Sequence, residues 1–125
     1  MDKEKFKEIL EGLIDELPPI FFQELSGGIV LEDFCKVSPY AQSDDMFILG
    51  EYVVNGSVGR QVRIYYGSFE RMYSNLTEEA LEEKLRGVLR HEFRHHLENR
   101  AGERGLEIED ANYIASYLKR KNVLE

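Results

Sequence analysis

All the histidines of this chain fall within six residues: His91, His95 and His96. The run His91-Glu92-Phe93-Arg94-His95 carries the spacing H-E-x-x-H. Residues four apart on an α-helix lie one turn apart on a single face, about 6 Å along the axis. Two imidazoles placed so can converge on one tetrahedral Zn²⁺, each Zn–N bond being about 2.0–2.1 Å. The glutamate that follows the first histidine flanks that face and can reach a zinc-bound water as general base. The residue types and their spacing therefore point to metal-assisted hydrolysis, with His91 and His95 as ligands and Glu92 as base.

This chemistry needs a helix. Thr77 is a good N-cap, and Glu78 and Glu79 suit the positive end of the helix dipole. No proline interrupts residues 77 to 101, and Gly102 and Gly105 supply a stop. At about 100° per residue, Leu81, Leu85, Val88, Leu89, Phe93, His96 and Leu97 form an apolar stripe. Glu83, Lys84, Arg86, Arg90, Arg94 and Glu98 fall on the opposite side. His91 and His95 lie at the margin between the two. Glu92 falls inside the stripe, where a carboxylate is costly without a partner or a function. Burial there would raise the basicity a general base needs. His96 sits deeper in the stripe and does not share a face with His95, so it reads as a core or supporting histidine.

A catalytic zinc site takes three protein ligands and leaves the fourth position to water. With no further histidine, the third ligand must be a carboxylate. Glu98 lies one turn beyond His95, but a single straight helix rarely wraps three ligands around one ion. The glycines at 102 and 105 let the chain reverse, which brings Glu103, Glu107, Glu109 and Asp110 into consideration. Asp110 has a competing role as the cap of a last helix with the stripe Ala111, Ile114, Ala115 and Leu118.

The segment Arg90-His91-Glu92-Phe93-Arg94-His95-His96-Leu97-Glu98, followed by Ala101-Gly102-Glu103-Arg104-Gly105-Leu106-Glu107 and Asp110, resembles the small bacterial zincin-like metallopeptidases. The resemblance extends over about residues 28 to 118, including Asp45–Tyr52 and Ile64–Phe69. Many members of that family read H-E-x-x-H-H-x-G-x-x-D. Here Leu97-Glu98-Asn99 stands where the family glycine would fall, and Leu106-Glu107-x-x-Asp110 is the best match to the family aspartate. The resemblance thus implies a minimal zincin-like α+β fold, Zn²⁺ as cofactor, a peptide or protein substrate, and Asp110 as third ligand. A domain this small lacks the second lobe that usually walls a protease cleft. A partner protein or a second copy would complete it, or the substrate is short. The alternative is a zincin-shaped regulatory or binding protein that holds metal with little or no proteolysis.

The remaining sequence sets the frame. A chain of 125 residues is expected to form a single domain over residues 1–125. Its net charge of −8 argues against nucleic acid or an anionic membrane as partner. Arg86, Arg90 and Arg94, interleaved with Glu82, Glu83 and Glu98, read as a solvated, salt-bridged helix face. One cysteine, Cys35, excludes a disulfide framework and reads as a small buried hydrophobe in a strand. No span has transmembrane length, and a cytoplasmic location is expected.

Residues 2 to 17 predict a helix with Phe6, Ile9, Leu10, Leu13, Ile14 and Leu17 at helical spacing, ended by Pro18 and Pro19. A strand is expected from Gly27-Gly28 to about Val37. Phe47–Val54 and Arg60–Tyr66 read as an antiparallel hairpin turning at Asn55-Gly56-Ser57. The expected fold is α+β: an N-terminal helix, a three-stranded sheet, the long motif helix and a shorter C-terminal helix. An extended peptide could add to the sheet edge. Tyr65, Tyr66 or Tyr73 could then offer a hydroxyl to the oxyanion.

Overall fold

The computed structural model describes residues 2–39 and 47–102. Helix α1 spans Lys3–Asp15, capped by the Asp2 side chain, which accepts from the Glu4 N–H at 3.0 Å. It buries Phe6, Leu10 and Leu13 along one side, as their spacing requires. Pro18 ends it, and a 3₁₀ turn at Pro19–Phe22 drives Phe21 into the core.

Five strands follow: β1 (Gly28–Glu32), β2 (Lys36–Val37), β3 (Phe47–Ile48), β4 (Gly50–Asn55) and β5 (Gly59–Tyr65). The expected long strand to Val37 is broken. Residues 33–35 leave β1, and Cys35 lies partly buried between β1 and β2 rather than within a strand. The break has a steric partner. The backbone of Phe34 and Cys35 passes so close to Gly67 that a Cβ there would lie 2.4 Å from the Phe34 carbonyl carbon.

The main sheet has the order β1-β5-β4 and is mixed: β4 and β5 form the expected antiparallel hairpin, while β1 runs parallel to β5. Asn55 closes the hairpin turn, its side-chain oxygen accepting from the N–H groups of Ser57 and Val58. Strands β2 and β3 pair separately.

Two helices complete the described fold. Helix α2 (Tyr66–Tyr73) follows β5 directly, where no helix was expected. Helix α3 (Glu78–Gly102) is the motif helix, capped by the Thr77 hydroxyl through the Ala80 N–H at 3.1 Å. The expected last helix, Ala111 to Leu118, lies outside the described residues. The architecture is α+β with one core: Phe6, Leu10, Leu13, Phe21, Val62, Ile64, Phe69, Leu81, Leu85, Leu89 and Phe93. Phe6 meets Phe69 edge-on at 5.1 Å, and Phe93 packs against Phe21 and Phe22. Among the described residues no helix is long and apolar enough to cross a membrane.

Helix α3 and strand β4 lie side by side and run in the same direction. Gly50 faces Val88, Tyr52 faces His96, and Arg60, opposite Val54 in the hairpin, reaches Asn99. The contact is tightest at Gly50, where a Cβ would lie 2.7 Å from Val88 Cγ1 and 3.3 Å from Ile64 Cδ1. A branched valine cannot swing aside, so a methyl group there must push the strand off the helix. Gly50→Ala is therefore expected to destabilise the protein by about 1–3 kcal/mol, measurable as a lower urea midpoint at unchanged slope.

Candidate metal centre

The expected phase of α3 is largely realised. Leu81, Leu85, Leu89, Phe93 and His96 are buried, and His91 and His95 are exposed beside them. Arg90 departs from the expected solvated face: it is only 4 % exposed, while Arg86 does bind Glu16, Glu82 and Glu83. The helix is thus enclosed further around its circumference than the apolar residues alone indicate, because α1 and the turn after it pack over the side that carries Arg90 and Arg86.

The two exposed histidines converge. His95 Nε2 lies 3.1 Å from His91 Nε2, with the rings nearly perpendicular. Two nitrogen ligands at about 2.0–2.1 Å on one tetrahedral ion are about 3.3–3.4 Å apart. The pair is therefore preset close to the separation that a shared ion requires. Without metal, the same separation suits an N–H···N hydrogen bond.

Glu98 sits behind this pair. Its Oε1 lies 3.2 Å from His95 Nδ1, the nitrogen remote from His91. Nδ1 therefore donates to the carboxylate, and the Nε2 lone pair is left for a metal. That position makes Glu98 a support for His95, on the side of the ring away from His91. Among the described residues no group of three His, Cys, Asp or Glu side chains converges as a complete metal site. The other candidates, Asp110, Glu103, Glu107 and Glu109, lie outside the described residues.

Glu92 is buried, 6 % exposed, as its place in the stripe implied. Burial pushes its carboxyl above the usual carboxylate range. The neighbouring imidazoles of His91 and His95 pull the other way when charged, the carboxylate of Glu51 adds to the upward push, and a hydrogen bond from the Tyr52 backbone N–H pulls down; burial wins. That N–H belongs to the open edge of the sheet. The Tyr65 N–H bonds to the Leu49 carbonyl, so alternate residues Gly50, Tyr52 and Val54 direct their backbone groups away from β5.

His96 is 2 % exposed and lies between two partners. Its Nε2 is 2.8 Å from the Gln23 carbonyl oxygen, which can only accept, so Nε2 carries the proton. Nδ1 must then accept from the Tyr52 hydroxyl, 2.7 Å away. Burial, the largest influence, holds its pKa below the usual histidine value; the Gln23 bond opposes this, and the positive charges of Arg100 and Arg60 reinforce it. His96 is thus a buried core histidine, one of the two roles expected for it.

The tyrosines considered for an oxyanion are engaged elsewhere. The Tyr65 hydroxyl donates to Glu51 at 2.7 Å, that of Tyr66 donates to Glu70 at 3.1 Å, and the Tyr73 ring packs against Phe69 and Lys84. The tyrosine that reaches the motif is Tyr52, which sequence reasoning did not single out. Its period-two placement on the same strand face as Gly50 could have pointed to it, once the helix beneath was located.

A conserved hypothetical protein from Thermus thermophilus has a similar structure: TM-score 0.70 at 31 % sequence identity, over 82 % of this chain and 99 % of that one. The chain belongs to the same family as that protein. No family model and no curated protein matches it.

Two outcomes follow from this geometry. Glu98→Ala should weaken zinc binding by about 10- to 100-fold, read by competition with a chromophoric chelator, because His95 loses its orienting carboxylate. Glu92→Gln should stabilise the metal-free protein, with the gap to wild type opening as pH rises above about 4.5. The sign follows from the raised pKa. Below the unfolded value the carboxyl is neutral in both states and carries no penalty; above it the unfolded chain ionises first and the native state loses stability. Urea unfolding at pH 4 and pH 7 in chelator checks it.

Proposed function

We propose that this protein is a zinc-dependent peptidase of the small zincin-like type. His91 and His95 hold the ion, and Asp110 is the third ligand, a role it takes from the family resemblance. The observation that carries the proposal is the 3.1 Å approach of the two Nε2 atoms, with Glu98 fixing the tautomer of one and Glu92 buried beside both. A purely structural pair of surface histidines requires none of these three features.

Zn²⁺, when bound, supplies a Lewis acid that activates water and polarises the scissile carbonyl. The rest falls to the chain. Glu92, made more basic by burial, accepts a proton from the attacking water at a carboxylate oxygen and returns it to the nitrogen of the leaving amine. Strand β4 is the edge of the sheet beside α3, and an extended peptide is the substrate shape that suits such an edge. A partner or second copy supplies the wall that so small a domain lacks.

One observation favours the second reading, a metal-holding regulatory protein. The Tyr52 N–H, a donor of the sheet edge that an added peptide would use, is already taken by the Glu92 carboxylate.

Purified protein is expected to carry about one zinc per chain. His91→Ala and His95→Ala should each abolish binding, and Asp110→Ala should weaken it. Glu92→Gln should retain the metal and lose about 10²–10⁴-fold in peptide cleavage. Absence of zinc binding in chelator-free buffer overturns both readings. Zinc binding with no cleavage of a peptide library leaves the regulatory one.

A further inference from the structure

Tyr52 makes two contacts with α3 that serve one purpose. Its backbone N–H, turned outward from the sheet, holds the Glu92 carboxylate. Its hydroxyl donates to His96 Nδ1 at 2.7 Å, and its ring lies 5.4 Å from the imidazole. His96 in turn donates to the Gln23 carbonyl at 2.8 Å. The segment around Gln23 is itself fixed. Arg100 donates to Gln23 Oε1 and to Glu24 Oε2, and Glu24 holds a positive φ of 60° that a non-glycine residue adopts only under constraint.

The consequence is mechanical. An exposed edge strand can slide or lift, because one of its sides has no neighbouring strand. Here a buried relay runs from the Gln23 loop through His96 to the Tyr52 ring, and it fixes the height of β4 over α3 at the one residue whose amide holds Glu92.

We infer that Tyr52 is a positioning residue for Glu92: its side chain, anchored through His96, sets the backbone amide that fixes the carboxylate. The catalytic part of this inference rests on Glu92 being the base; the positioning part does not.

Tyr52→Phe tests it, since the ring stays and only the hydroxyl leaves. His96→Gln removes the same hydrogen bond from the other side. Three measurements are made on each. Hydrogen exchange of the amide at position 52 should accelerate roughly tenfold or more in both variants, as the strand lifts locally. Zinc affinity should stay within about twofold of wild type, because the ligand atoms are untouched. With fluorescein-labelled casein as probe, kcat should fall about tenfold at little-changed KM. In a Glu92→Gln background, Tyr52→Phe should cause no further loss of kcat. Unchanged exchange at position 52 in both variants overturns the inference. So does a kcat loss that persists undiminished in the Glu92→Gln background. If wild type binds zinc but cleaves no casein, the peptidase reading falls, and the exchange result alone decides whether Tyr52 holds Glu92.

Discussion

A carboxylate buried at 6 % exposure is the constraint around which the rest of this molecule is arranged. Left alone, Glu92 would cost several kcal/mol or hold its proton at neutral pH. The fold meets part of that cost with one directed partner, an amide from the sheet edge, while the imidazoles on either side of it in sequence act only through their charge. For the amide to be there, β4 must be an edge strand, it must lie along α3, and it must lie close. Gly50 makes the close approach, Tyr52 sets the height, and the Arg60–Asn99 bond at 2.7 Å sets the far end. The apolar core beneath, Val62 and Ile64 against Leu85, Leu89 and Phe93, supplies the free energy that keeps these polar contacts aligned.

The other face of the hairpin carries a separate polar group. Glu51 accepts from Lys36 Nζ and from the Tyr65 hydroxyl, both at 2.7 Å. Burial opposes its ionisation, but these two bonds together with the charges of Lys36 and Arg63 outweigh it and hold the carboxyl below its usual value. Glu51 is therefore charged next to the strand residue that holds Glu92, and its charge adds to the upward push on the base. Neighbouring residues of one strand, pointing to opposite faces, thus bear on one carboxylate: Glu51 through its field, Tyr52 through its amide.

Much of this was legible in the order of residues. The helix, its cap at Thr77, its apolar phase and the anomaly of Glu92 all follow from local spacing, and local spacing is what a sequence states directly. So does the hairpin with its Asn55 turn. The parallel pairing of β1 with β5 was not legible, because partner choice depends on the chain's global path rather than on either strand's composition. Helix α2 was missed because Tyr66-Gly67-Ser68-Phe69 holds no strong helix former; Phe6 and the Phe34–Cys35 backbone pack around it. Arg90 was misplaced for a related reason. A helical wheel assigns cations to water, and only the neighbouring elements reveal which charged residue is covered. Asp110, the proposed third ligand, lies outside the described residues.

The two halves of the centre differ in how far apart their parts lie along the chain. His91 and His95 are separated by four positions, and their convergence requires one turn of helix and nothing else. The support of Glu92 spans 44 positions from Tyr52 to His96 and 73 from Gln23 to His96. Contacts of short separation form early in folding, and those of long separation form late, after loop closure has been achieved. The histidine pair can therefore form in a chain that has made its helix but not its sheet, whereas the held Glu92 carboxylate exists only in the finished fold. Under the proposed peptidase reading, the metal would be loaded before the base is held, so that a nascent chain would not act on its own unfinished neighbours.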